Sequence, residues 1–172
     1  MKKVRNDDEP CGRPLGAGSP AFLLAQVGAH AASKFAARLA NLNLAPHHAG
    51  MLRILASTPG ITQQTLAETL GTVPSRLVAL VDELESSGLV ERRNNPDDRR
   101  RYALHLTDKG SSMLESIRRV SREHSQHLLA ALSAEEQRHL ASLLQRIADE
   151  QGLIRGVHPG YRQAGRSDPT PG

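Results

Sequence analysis

Apolar residues recur at spacings of three and four from Ala21 to about Leu42, where Leu24, Val27, Ala31, Phe35 and Leu39 mark one stripe of a long amphipathic helix. Pro46 suits the first turn of a second helix, whose Met51, Leu52 and Leu55 form its stripe until STPG at 57–60 stops it. Thr62 is placed to cap a short third helix carrying Leu66, Ala67 and Leu70 up to Gly71. A fourth begins at Pro74, sets Leu77, Leu80, Val81 and Leu84 on one side, and ends near Gly88. Then the period changes. Two short runs, about 89–93 and 101–106, have strand character; in the second, Tyr102, Leu104 and Leu106 alternate with Arg101, Ala103 and His105. Thr107 heads a long helix from Asp108 to about Leu132, and Ser133 with Glu136 forms a capping-box pattern for a last helix to about Gln151.

Short, closely connected helices followed at once by a two-stranded ribbon are the arrangement of a winged helix-turn-helix. The predicted fold class is therefore mainly α with a small β-hairpin wing. Residues 1–19 and 155–172 mix charges with Gly and Pro and lack apolar period, so both are expected to be disordered tails. The fold is expected over 20–154, with a DNA-binding lobe at 46–107 and dimerisation helices at 20–45 and 108–154. Met113, Leu114, Ile117, Leu128, Leu129, Leu140, Leu143, Leu144 and Ile147 on the last two helices offer more apolar surface than a small reader covers, which predicts a homodimer.

Charge sharpens this picture through its position. The chain of 172 residues carries a formal charge of only +4. Yet Arg92 and Arg93 end the first strand and Arg99, Arg100 and Arg101 open the second, around a loop whose acids are Asp97 and Asp98. Helix four would be the recognition helix: its inward stripe leaves Ser75, Arg76, Ala79, Glu83 and Ser86 outward, hydroxyl and guanidinium at the N-terminal end and acid at the far end. That polarity suits a first turn entering the major groove, with the arginine-tipped ribbon beside it on backbone and minor groove. Asp98 is then read as a buttress, holding one arginine so that another is aimed. The expected partner is double-stranded DNA; the alternative is a winged-helix protein interaction module without specific DNA binding.

The residues also carry a family resemblance. LAPHHAGMLRIL, ITQQTLAETLGTVPSRLVALVDELESSGLVERR and NPDDRRRYALHLTDKG resemble, in order and spacing, the second helix, helix-turn-helix and wing of the MarR-type winged-helix transcriptional regulators, over about residues 21–150. The resemblance implies an obligate homodimer on a pseudo-palindromic operator, usually a repressor until a small ligand or oxidant weakens its grip. It implies that Asp98 is the wing buttress, that Arg100 enters the minor groove, and that Ser75 and Arg76 open the recognition helix. The chain departs from the pattern at Ala79, where many members carry Arg, and at Val73, where a small polar cap is common. A possible small-molecule effector is expected between the dimer helices and the reader, with His30, His47, His48 and Arg53 as candidate pocket residues.

Other chemistry finds less material. Eight histidines invite a metal, but the pair His124 and His127 has no cysteine near it, so no metal and no cofactor are expected. The single Cys11 sits among acids, the opposite of a thiolate-activating site. No phosphate-binding Gly loop, nucleophile elbow or HExxH is present, so no enzyme activity is expected. The lone cysteine and the lack of any long apolar run predict a cytoplasmic protein with no membrane partner.

Overall fold

A computed structural model describes residues 18–94, 102–158 and 161. The elements are α1 (Pro20–Ala40), α2 (Pro46–Ser57), β1 (Ile61–Thr62), α3 (Gln63–Leu70), α4 (Pro74–Ser86), β2 (Val90–Asn94), β3 (Tyr102–Leu106), α5 (Asp108–Leu128) and α6 (Ala134–Glu150). Side chains at the helix starts explain most of these boundaries. Thr62 accepts from the Thr65 N–H at 3.1 Å and Thr107 from the Gly110 N–H at 2.9 Å. Ser133 and Glu136 exchange both capping-box bonds, at 3.3 and 2.8 Å. Gly71, at φ 63°, closes α3 in the left-handed region that side-chain-bearing residues avoid.

One core joins α2, α3, α4 and the sheet. Met51, Leu52, Leu55, Leu66, Leu70, Leu77, Val81, Leu84 and Leu104 are fully enclosed, with Leu39 of α1 and Leu114 and Ile117 of α5 closing it from above. The sheet has three antiparallel strands in the order β1-β3-β2, because Ile61 and Thr62 pair with Leu104 and Ala103. That third strand is too short for any alternation to announce it. Ala103 and Leu104 of the central β3 are both buried, on opposite faces, while Tyr102 at the outer end is exposed, so strict alternation fails there.

Two expected boundaries shift. α5 ends at Leu128, four residues early, because Ser133 must leave the helix to cap α6; the Gln137 amide donates to the carbonyls of Leu129 and Leu132 and satisfies the turn. Of the segment expected to be a tail from 155, the described residues 155–158 and 161 come back to the core. Val157 packs against it and Tyr161 is only 5% exposed. A phenol ring that finds an apolar seat gains enough burial to offset the ordering of a few residues. The expected tail at 1–19 lies outside the described residues except for Gly18 and Ser19, and Ser19 caps α1.

α5 meets the lobe at very short range. A side chain at Gly110 would collide with the Leu89 backbone carbonyl, so only glycine lets the helix approach. Lys109 donates to the Ser87 carbonyl at 2.7 Å, holding the far end of α4 to the start of α5. Among the described residues no helix is long and apolar enough to cross a membrane.

Candidate nucleic-acid interface and the cavity behind it

α4 turns Leu77, Leu80, Val81 and Leu84 inward and leaves its opposite side open. Ser75 and Ala79 are exposed, as are Glu83 and Ser86. Arg76 is half-buried, with its charge close enough to His47 to help depress that imidazole. Val73 (49% exposed), noted above as a departure from the family pattern, and Val78 (43%), not singled out there, also stand on the open face. The signal was available: the inward stripe leaves Val78 without an apolar partner, and a bare methyl pair is a surface a thymine methyl can meet. Val73 offers no capping side chain, so the first N–H groups of α4 have no capping bond from it.

The wing is set against α4 by one arginine. Arg92 bonds both Asp82 and Glu85 of α4, and its backbone N–H donates to Glu85 Oε1 at 3.3 Å. Burial draws the Arg92 pKa down, but the bonds to Asp82 and the charges of Glu85 and Asp82 outweigh it and the net direction is upward. Its side chain is only 17% exposed. Counted among the wing arginines expected at the DNA, Arg92 is turned toward Asp82 and Glu85 of α4, a bridge that a planar fork suits better than a lysine would. Arg93, 60% exposed, pairs with Glu91 on the rim. Asn94 and Tyr102 are register partners at the outer end of the ribbon. Asp98, Arg99, Arg100 and Arg101 lie outside the described residues.

The four residues expected to form an effector pocket do not converge. Arg53 lines a cavity of about 550 Å³ between α1, α2 and α5, walled by Phe35, Ile54, Leu114, Ile117 and Tyr161, with Arg118 and Arg122 among its cations. His30 lies elsewhere, in a smaller recess with Lys34, Arg38, His124 and His127. His124 stacks on Phe35 with ring centroids 5.3 Å apart, and burial, then Arg38, His127 and His30, hold its pKa below the ordinary imidazole value. So cationic a recess opposes a metal ion.

His47 and His48 begin α2 and face α4. His48 Nδ1 accepts from the Ala45 N–H at 3.2 Å, in the place of a missing side-chain cap, and its Nε2 lies 2.9 Å from Glu83 and 3.1 Å from His47 Nε2. The ligand atoms of His47, His48 and Glu83 lie within 4.8 Å of one another, near enough to hold an ion. With Nδ1 accepting, however, the neutral His48 ring carries its proton on Nε2, and that proton points to the carboxylate. This is a hydrogen-bonded link between α2 and the recognition helix, the wrong tautomer for a ligand through Nε2. Burial, then the nearby His48 and Arg76, lower the pKa of His47 against the pull of Glu83.

Residues 42–101 match the sequence pattern of the MarR family. The chain is 39% identical over 98 residues to a protein of Thauera aromatica named for transcriptional regulation of the hcr operon, a match covering 57% of this chain and 59% of that protein. The match thus spans about three-fifths of that relative's length. The fold is similar to a solved transcriptional repressor, CouR, bound to a 23-mer DNA duplex, with TM-score 0.68, 31% identity, and coverage of 76% of this chain and 92% of that one. It is also similar to the Mycobacterium tuberculosis MarR-family protein Rv2887 in complex with salicylic acid, with TM-score 0.62, 28% identity, and coverage of 77% and 99%.

Proposed function

Because the chain belongs to the MarR family, we propose that it is a homodimeric repressor of transcription that grips double-stranded DNA in the bacterial cytoplasm and lets go when a small aromatic acid occupies its cavity. The observation that carries the reading is the clamp between Arg92 and the two carboxylates Asp82 and Glu85. It takes the acids at the far end of α4 out of the way of phosphate and fixes the ribbon at one angle to the recognition helix. Ser75, Arg76, Val78 and Ala79 then enter a major groove while the arginines at 99–101 reach along the backbone, with Arg100 in the minor groove and Asp98 behind it. Catalysis has no part in this function.

The dimer is supported by what one copy leaves open. Phe22, Leu23, Leu24 and Val27 of α1 and Leu143, Leu144 and Ile147 of α6 are all more than a third exposed. A second copy covering them places two recognition helices about one helical turn apart, roughly 34–36 Å. The cavity supports the effector: apolar walls with Arg53, Arg118 and Arg122 suit a flat ring bearing a carboxylate.

Selection of bound duplexes from a random pool tests the reading, followed by titration of the selected duplex across salt. A two-fold-related consensus and an affinity falling steeply with salt are expected, because each neutralised phosphate releases counterions. Enrichment of no sequence, with a flat salt dependence, would instead favour a protein-binding module. Adding salicylate to the complex tests the effector, with release of the duplex as the expected outcome.

A further inference from the structure

Beyond the end of α6 the chain reverses. Gly152 (φ 63°) and Gly156 (φ 74°) adopt left-handed backbone, and Arg155 donates to Asp149 at 2.7 and 3.2 Å, which brings Gly156, Val157 and Tyr161 onto α2. The Tyr161 ring lies against Gly50, where any side chain would strike its phenol, and its hydroxyl donates to the His47 carbonyl. The Arg53 guanidinium donates to the Gly156 carbonyl. These bonds continue one another. Gly156 and Tyr161 hold the first turns of α2; His47 sits 3.1 Å from His48, and His48 sits 2.9 Å from Glu83 of the recognition helix. Arg53 and Tyr161 also line the cavity.

Resting on the effector reading above, we infer that Gly156, Val157 and Tyr161 form a strap that couples the cavity to the recognition helix, released when an anionic aromatic ligand takes Arg53 from the Gly156 carbonyl. The physical reason lies in the strength of the two acceptors. A neutral carbonyl holds a guanidinium by a single ordinary bond, whereas a carboxylate accepts two parallel charge-assisted bonds, each about twice as strong. A carboxylate entering the cavity therefore displaces Gly156. Tyr161, five positions after Gly156, then loses the anchor that keeps its phenol on the His47 carbonyl. The first turn of α2 is then free to shift, and with it the His48 contact that positions Glu83. A two-state element biased from both ends is what such coupling requires.

Tyr161 provides a direct readout, since burial pushes its phenol up to about 12. The chain holds only two tyrosines, Tyr102 and Tyr161, so carbon-labelled tyrosine gives two resonances that a substitution assigns. In the full chain Tyr161 is expected to titrate near that value and to fall toward the ordinary phenol range, about 10, when salicylate binds. Anisotropy with a selected duplex completes the test on Tyr161→Ala, Tyr161→Phe and Gly50→Ala, the last evicting the phenol from the helix side without altering the strap. Salicylate is expected to weaken DNA binding of the full chain about tenfold, within the usual range of allosteric coupling. Tyr161→Ala and Gly50→Ala are expected to bind about tenfold more weakly from the start and to change less than twofold with salicylate. Tyr161→Phe, which keeps the ring and loses only the hydroxyl bond, lies between and reports on the strap if either harsher variant melts early. Equal release of all four proteins overturns the strap and leaves the effector reading intact. No release of the full chain overturns the effector reading; in that case unchanged DNA affinity in the variants overturns the strap as well, and weakened affinity upholds its tie to the reader. A Tyr161 titration near 10 in the unliganded full chain overturns the strap outright.

Discussion

In the lobe from α2 to β3, each helix contributes at least three residues to the interior, whereas α6 contributes none and α1 only Leu39. Both regions have comparable apolar stripes in sequence. The lobe's stripes point at one another across a small space, and each buried leucine there is worth about 1.5–3 kcal/mol. The terminal helices carry theirs on the outside, where an apolar band of this extent marks an association surface. Under the proposed function, a self-sufficient reader mounted on arms covered by a second copy would make DNA affinity depend on assembly.

The sharpest way to break that contrast is to charge the arms. Leu143→Glu with Ile147→Glu should yield a monomer at micromolar concentration in sedimentation velocity and cut affinity for a two-fold site by about a hundredfold or more, the loss expected when two linked contacts become one. A dimer with intact affinity would place the interface elsewhere. Next in size is the seam between the regions. Gly110→Ala drives a methyl into the Leu89 carbonyl and should cost about 1–3 kcal/mol, read as a melting temperature lower by several degrees.

Within the lobe, Arg92 and Arg93 separate brace from contact. Arg92→Ala should cost about 1 kcal/mol of stability, discounted because Asp82 and Glu85 are partly in water, and weaken DNA binding without changing its salt slope. Arg93→Ala should leave stability alone and reduce that slope by about one if the rim arginine meets a phosphate. The smallest expected effect is on pH. The His47 pKa is depressed in the fold, chiefly by burial, so the folded state binds fewer protons than the unfolded one as pH falls through the ordinary imidazole value near 6.5. Its contribution is fully present above that value and is lost below it, as pH drops through the folded pKa. Chemical denaturation at pH 7.5 and 5.5 should show the loss, and His47→Gln should flatten it.

Local rules made much of this legible. Thr62, Thr107 and Ser133 announce helix starts through the geometry of one side chain and one or two N–H groups, and all three cap as their positions predict. The stripe of α4 indicates its outer face for the same reason, since helical periodicity is intrinsic to the backbone. Ser75 and Ala79 were placed on that face this way, and both are exposed. Val78, off the inward stripe, stands on that same open face without having been named, and the wing tip at 97–101 lies outside the described residues. The effector residues scattered because His30, His47, His48 and Arg53 were grouped by chemistry alone, and nothing in a linear pattern says which turn of α1 faces which turn of α2.

By itself, then, the amino-acid order determined where each helix begins, which side of it is apolar, and that arginine gathers at the end of a ribbon, because those properties depend on neighbours within a turn or two. Only the tertiary structure decided that Arg92 bridges to Asp82 and Glu85 of α4, that Tyr161 returns over a glycine more than a hundred residues away to bond His47, and that Arg53 alone of its group lines the cavity. Each of those depends on distances between elements, and an arginine or a tyrosine satisfies whichever partner the packing brings within reach.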